Sequence, residues 1–175
     1  TALLPQDPPA ERFPDQPQQD ALHYAITLDV DVAKKNLQGH VDYTFAARAP
    51  LTTIRLDARR SESWRVGFTT VDGKEMPTQW DDNAQCAVVT LPLPLQTGEQ
   101  ITFRANLLGT PVDGFYFQPN RYGELLAFTD HYSIRARGWL PCEDNPTDRA
   151  KFSLQLDYPE GLEAVGYGQP LPADA

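Results

Sequence analysis

From Ala21 onward, apolar and polar residues alternate along the chain. Tyr24, Ile26, Leu28, Val30 and Val32 fall on one face of an extended segment, and His23, Ala25, Thr27, Asp29 and Asp31 on the other. Successive side chains of a strand point to opposite faces, so this run predicts a strand with one face on a core. Lys34-Lys35-Asn36 predicts a turn. Leu37, Val41, Tyr43 and Phe45 then resume the alternation, with Gly39 expected at a bulge or a close backbone approach. The two runs make a natural antiparallel pair. Ile54 and Leu56 predict a short strand, and Trp64, Val66 and Phe68 another, closed by the turn Asp72-Gly73. Val88, Val89 and Leu91 run into Pro92, which has no amide to donate and is expected to end the ladder there. Ile101, Phe103, Ala105 and Leu107 alternate up to Gly109. Phe152, Leu154, Leu156 and Tyr158 alternate up to Pro159. No long window shows a helical period. Short strands at regular spacing, with turn residues between them, predict an all-β fold: an antiparallel β-sandwich or saddle.

Two regions depart from this pattern. In residues 1–20, Pro5, Pro8, Pro9, Pro14 and Pro17 sit among Gln and Asp, which predicts an extended, solvated tail ahead of a β domain over 21–175. Residues 109–152 are dense in aromatics, Arg and Asp, and their alternation is broken. They predict a long irregular functional loop. Within it, Pro141 and Pro146 stiffen the chain on either side of Cys142-Glu143-Asp144. Asp144 is expected to accept hydrogen bonds from Arg137 or from backbone amides and so fix the turn. Trp139 and Leu140 are expected to be core or interface anchors.

Composition narrows the chemistry. With 175 residues the chain can bury a core without disulfide staples. Its 24 acidic and 15 basic side chains give a formal charge of -9. That field repels phosphate backbones and argues against a nucleic-acid partner. No apolar run reaches the length of a membrane span. The three histidines, at 23, 40 and 131, cannot form a His-Glu-x-x-His zinc helix, and two cysteines cannot form a four-Cys site. Cys86 and Cys142 are expected to remain buried thiols. There is no Gly-rich phosphate loop and no Gly-x-Ser-x-Gly elbow, and Asp81-Asp82 has the look of a solvated turn. No catalytic residue, metal ligand or cofactor site is therefore expected within this chain. It opens on Thr1 with no charged-plus-apolar leader, which is expected of a processed or excised piece and leaves its compartment open, periplasmic, secreted or cytoplasmic.

One string carries a resemblance. Ala136-Arg137-Gly138-Trp139-Leu140-Pro141-Cys142-Glu143-Asp144-Asn145-Pro146 resembles the A-R-x-W-[FL]-P-C-x-D-x-P element in the amino-terminal domain of aminopeptidase-N-like zinc metallopeptidases. Asp148-Arg149-Ala150-Lys151-Phe152 is similar to the D-K-A-x-F next to it in the family, Val165-Gly166-Tyr167-Gly168 to the V-x-N-G turn, and Gly114-Phe115-Tyr116 to an upstream G-F-Y step. The resemblance covers roughly residues 20–172. It implies a saddle of strands that precedes, caps and walls a catalytic domain. That domain would hold the zinc and hydrolyse amino-terminal peptide bonds with a zinc-activated water. It also implies Arg137, Trp139, Pro141, Asp144 and Pro146 as structural motif residues.

In the family, a Glu or Gln of this domain binds the free amine of the substrate. The matching position here is Tyr132, and Asp130 lies two residues before it. The resemblance thus implies a substrate-binding edge at 128–132. Asp130 would supply the anion and Tyr132 a stacking surface or hydroxyl, both on one face of an extended segment. The implied partners are the chain's own downstream catalytic domain and a peptide at the domain edge. A second reading is a free-standing β-sandwich module that binds carbohydrate or protein through the aromatics of 115–139.

Overall fold

Each alternating run becomes a strand by pairing with at least one neighbouring strand. The computed structural model describes residues 16–169. Its strands are β1 (Gln19–Asp31), β2 (Asn36–Ala47), β3 (Leu51–Asp57), β4 (Trp64–Thr70), β5 (Thr78–Asp81), β6 (Cys86–Leu95), β7 (Gln100–Gly109), β8 (Phe115–Pro119), β9 (Leu125–Thr129) and β10 (Lys151–Asp157). A single 3-10 turn, Ala136–Gly138, is the one helical element among the described residues. Residues 1–15 of the expected tail lie outside the described residues. The chain is already in β1 at Gln19, ahead of the expected boundary at residue 21.

Five strands form one sheet in the order β10-β1-β2-β7-β4, three form a second in the order β3-β6-β5, and β8 and β9 form a hairpin. All pairs are antiparallel except β1 with β10. The apolar faces of the two larger sheets enclose Tyr43, Phe45 and Phe103, none of them exposed, with the Tyr43 and Phe103 rings stacked 5.3 Å apart. Trp64, Ile54, Leu56 and Val89 complete the centre of this core. The architecture is the all-β sandwich that the alternation predicts.

Gly39 lies opposite Leu28, and a Cβ at that position would sit 2.1 Å from the Thr27 carbonyl oxygen. It is therefore a point of close approach, and the bulge in this pair falls instead between Ala21 and His23. Pro92 does not end its strand. Thr90 pairs with Thr53, and the ladder resumes at Leu95 opposite Leu51. Leu91–Pro94 have no partner in the register and form an irregularity within β6, where Pro92 and Pro94 have no amide to donate.

The stretch 109–152 is also less irregular than its sequence predicts. Its first half is the β8–β9 hairpin, whose turn is held by Asn120 Oδ1 accepting the amides of Tyr122 and Glu124. Phe115, Phe117, Leu125 and Ala127 pack against the core. Tyr116 and Phe128 pair on the opposite face, 5.4 Å apart, so the apolar pattern is two-sided and hides the alternation.

Cys86 and Cys142 are buried thiols. Asp57 of β3 pairs with Cys86 on one side and bridges to Cys142 on the other. Two strand spacings of about 4.8 Å each put the cysteines beyond disulfide reach. No helix among the described residues is long and apolar enough to cross a membrane.

Candidate functional site

The segment beyond β9 has almost no regular structure, yet its stretch 137–143 is fastened to the core by a series of hydrogen bonds. The Asp57 amide donates to the Cys142 carbonyl (2.8 Å) and the Cys142 amide to the Asp57 carbonyl (3.0 Å), docking the segment on the β3 edge of the smaller sheet through a single bridge. The Tyr43 hydroxyl donates to the Pro141 carbonyl (2.7 Å), and the Glu143 amide donates to the Tyr24 hydroxyl (3.2 Å). The Arg59 amide donates to the Arg137 carbonyl and the Val112 amide to the Gly138 carbonyl. Gly138 is required there, since a Cβ would sit 2.5 Å from the Asp113 carbonyl oxygen.

At the centre is Arg137, 4% exposed. Its Nε donates to Asp144 Oδ2 at 2.9 Å, and its Nη1 lies 3.5 Å from Asp57 Oδ1. Its Nη2 is buried without a hydrogen-bond partner among the described residues. Asp57 Oδ2 in turn accepts the Asp144 amide at 3.1 Å. Asp57 is thus the third member of a buried Arg–Asp–Asp cluster of which the sequence named two. Burial pushes the Asp144 carboxyl above its ordinary range, while the Arg137 hydrogen bond pulls it back down. The same burial raises the Cys142 thiol.

Trp139, 4% exposed, is a core anchor. It meets Phe115 edge-on at 5.6 Å, and its indole N–H donates to His131 Nε2 at 3.0 Å. An accepting Nε2 requires a neutral ring, and burial lowers the His131 pKa in agreement.

Above this floor lies a cleft of about 380 Å³, lined by His131, Tyr132, Ser133, Glu143, Asp144, Asn145 and Pro146. One wall is the turn after β9 and the other is the Pro-bounded loop. Glu143 is partly buried in it. Its Oε2 accepts from Gln19 Nε2 at 2.9 Å, and that same amide side chain clamps both backbone groups of Arg55. Burial raises the Glu143 pKa from 4.5 to about 7, against the opposing pull of the Gln19 hydrogen bond.

Of the residues singled out from the sequence, Tyr132, Asp144 and Pro146 meet at this cleft, and Arg137, Trp139 and Pro141 lie beneath it as buried support. Tyr132 is 84% exposed. Asp130 does not line the cleft. It is half-exposed, with Oδ2 held 2.7 Å from Arg135 Nη1 and Oδ1 accepting the Tyr132 amide at 3.1 Å. Asp130 and Tyr132 do not share the face of an extended strand as the sequence predicts. The ladder ends at Thr129, and the Asp130 side chain captures the amide two residues on, which turns the chain. Sequence reading missed Glu143, Asp57 and Gln19. Glu143 sits inside the motif string, but the other two are far away along the chain and gave no local signal.

The family model for the peptidase M1 N-terminal domain matches residues 20–166. Among curated proteins, a puromycin-sensitive aminopeptidase of Caenorhabditis elegans is 25% identical over 152 residues, covering 82% of this chain and 16% of its own length. An aminopeptidase N of Lactobacillus delbrueckii subsp. lactis is 28% identical, covering 79% of this chain and 16% of its own length. Among solved structures, an M1 zinc metallopeptidase mutant from Deinococcus radiodurans, bound to a Tyr-Ser-Ala substrate, superposes with a TM-score of 0.65. It is 31% identical, covering 88% of this chain and 37% of that one. A two-domain M1 zinc metallopeptidase mutant bound to L-arginine gives a TM-score of 0.63 at 31% identity, covering 83% and 34%. The chain thus spans about a sixth of the curated relatives and about a third of the solved ones. By its matched length, its fold and its motif string, this chain belongs to the peptidase M1 N-terminal domain family.

Proposed function

We propose that this chain works as the non-catalytic amino-terminal domain of a zinc metallo-aminopeptidase. It caps the downstream catalytic domain and walls one side of the substrate cleft, and the full-length protein hydrolyses amino-terminal peptide bonds. The observation that carries this reading is an irregular segment held in place: the cleft that presents Tyr132 is lined by Asp144, which the buried Arg137 and Asp57 hold from behind. A site on such a support keeps its geometry. The zinc named in the solved neighbours would be held by the downstream catalytic domain of the longer protein. Among the described residues, no three His, Cys, Asp or Glu side chains are grouped to hold a metal ion.

On this reading, Tyr132 offers its exposed ring to the substrate and Asp130 offers a carboxylate to the free amine. Asp130 shares its charge with Arg135, so the amine competes with a guanidinium for one oxygen while the other stays on the Tyr132 amide. In the full-length enzyme, Asp130→Asn is expected to lower kcat/KM for free-amine peptides by about 1–3 kcal/mol. Amine-blocked ligands should bind as before. Equal kinetics for the two enzymes would remove Asp130 from amine recognition.

A further inference from the structure

The hydrogen bond beside Tyr132 works in one protonation state only. An indole N–H can donate and cannot accept. Trp139 Nε1 lies 3.0 Å from His131 Nε2, so that nitrogen must offer its lone pair and the ring proton belongs on Nδ1. A protonated ring donates from both nitrogens and would set N–H against N–H. Trp139 cannot turn away to relieve this, because it is buried and meets Phe115 edge-on at 5.6 Å. His131 can. The residue is exposed, and among the described residues no other hydrogen bond holds its ring.

The surroundings give a displaced ring somewhere to go. Asp144 lines the same cleft and Asp130 is the preceding residue, and both carboxylates favour the charged ring. Arg137 holds the first and Arg135 the second. Tyr132 and Glu143 complete the titratable groups around it. Desolvation opposes the charge and is the larger effect, so the ring is neutral at about pH 7 and takes its proton below the ordinary His value of 6.5. Any stability that the tie gives is thus present above that value and is lost as pH falls through the lowered one.

We propose that His131 is a positioning residue, which fixes the Tyr132 wall of the cleft when neutral and releases it when protonated. The neutral ring ties the turn after β9 to the buried Trp139, and so sets where the adjacent Tyr132 stands. Protonation breaks that tie and draws the ring toward Asp144 and Asp130. Asp130 Oδ1 also accepts the Tyr132 amide, so the charged ring competes for the carboxylate that turns the chain. The functional part of this inference rests on the reading of the cleft as a substrate wall.

Two measurements test it. In the 175-residue chain, NMR of the imidazole nitrogens is expected to show the Nδ1–H tautomer of His131 at about pH 8. The Trp139 indole and Tyr132 ring signals should shift with the His131 midpoint on acidification. An Nε2–H tautomer, or a Trp139 signal that ignores that midpoint, overturns the proposal. The kinetic test uses the full-length protein. His131→Gln keeps a carbonyl that can accept from Trp139 but cannot titrate, whereas His131→Phe keeps a ring and loses the acceptor. Between about pH 8 and about pH 5, KM of the wild type is expected to rise about threefold more than KM of His131→Gln, since Glu143 and all other titrating groups are common to both. His131→Phe should raise KM already at about pH 8, with kcat changed less. Parallel pH profiles for the wild type and His131→Gln overturn the positioning role. Tyr132→Ala tells the two possible failures apart. Unchanged Tyr132→Ala kinetics defeat the cleft reading and this proposal with it, whereas altered Tyr132→Ala kinetics beside parallel His131 profiles defeat the role of His131 alone.

Discussion

The segment 136–148 and strand β10 reverse the usual link between regularity and burial. The first has one 3-10 turn and little else, yet Arg137, Trp139, Leu140, Pro141 and Cys142 are buried and its backbone is bonded to four other parts of the fold. The second is a well-formed strand with an apolar row, yet Phe152 and Leu154 of that row stand in solvent and only Leu156 packs partly against the core. The difference lies in what each faces. The irregular segment lies between both larger sheets and is satisfied by side chains such as Tyr43, Asp57 and Tyr24. Among the described residues the strand has a partner on one edge only, and Phe152 and Leu154 have no layer above them. Backbone regularity needs one neighbour, whereas burial needs a covering layer.

The contrast can be broken from either side. The largest effect is expected from Arg137→Ala in the 175-residue chain. It leaves the Asp144 carboxylate without its cation and Asp57 with Arg55 alone, at a cost of about 3–5 kcal/mol by urea unfolding. A loss under about 1 kcal/mol would show that the cluster is not what holds the segment. Next comes Ile26→Ala, which empties a covered site and is expected to cost about 2–5 kcal/mol.

Glu143 sharpens the comparison through pH. Its folded-state pKa is raised, so its stabilising contribution is fully present below the unfolded value of 4.5 and is lost as pH rises through about 7. Glu143→Gln keeps an acceptor for Gln19 and removes the charge. It is therefore expected to be more stable than the wild type at about pH 8, by about 1–3 kcal/mol, with the gap closing toward pH 4.5. A gap that is flat with pH would contradict this. The smallest effect is expected at Leu154, which sits opposite Ile26 in the register. Leu154→Ala should change the stability of the 175-residue chain by no more than about 0.5 kcal/mol. A loss like that of Ile26→Ala would mean that β10 is already covered.

Local pattern was enough to define most strands. The runs at Tyr24–Val32, Leu37–Phe45 and Ile101–Leu107 alternate strictly because one face is buried and the other is not. β5 is too short to show a period, and β8 and β9 carry aromatics on both faces, so the same rule is silent there. The Arg137–Asp144 pair was also legible, because a short Pro-stiffened stretch of chain brings the two together. Asp57 was not, since it arrives from a strand 87 residues upstream of Asp144. The sequence by itself determined the all-β class, the family and the paired core of the motif, all of which rest on residues close together along the chain. Only the tertiary structure decided that Asp57 and Gln19 reach the segment, that Asp130 turns the chain at Tyr132, and that Leu154 is exposed while Ile26 beside it is not. Burial and electrostatic partnership are set by what lies across space, and no local period records that.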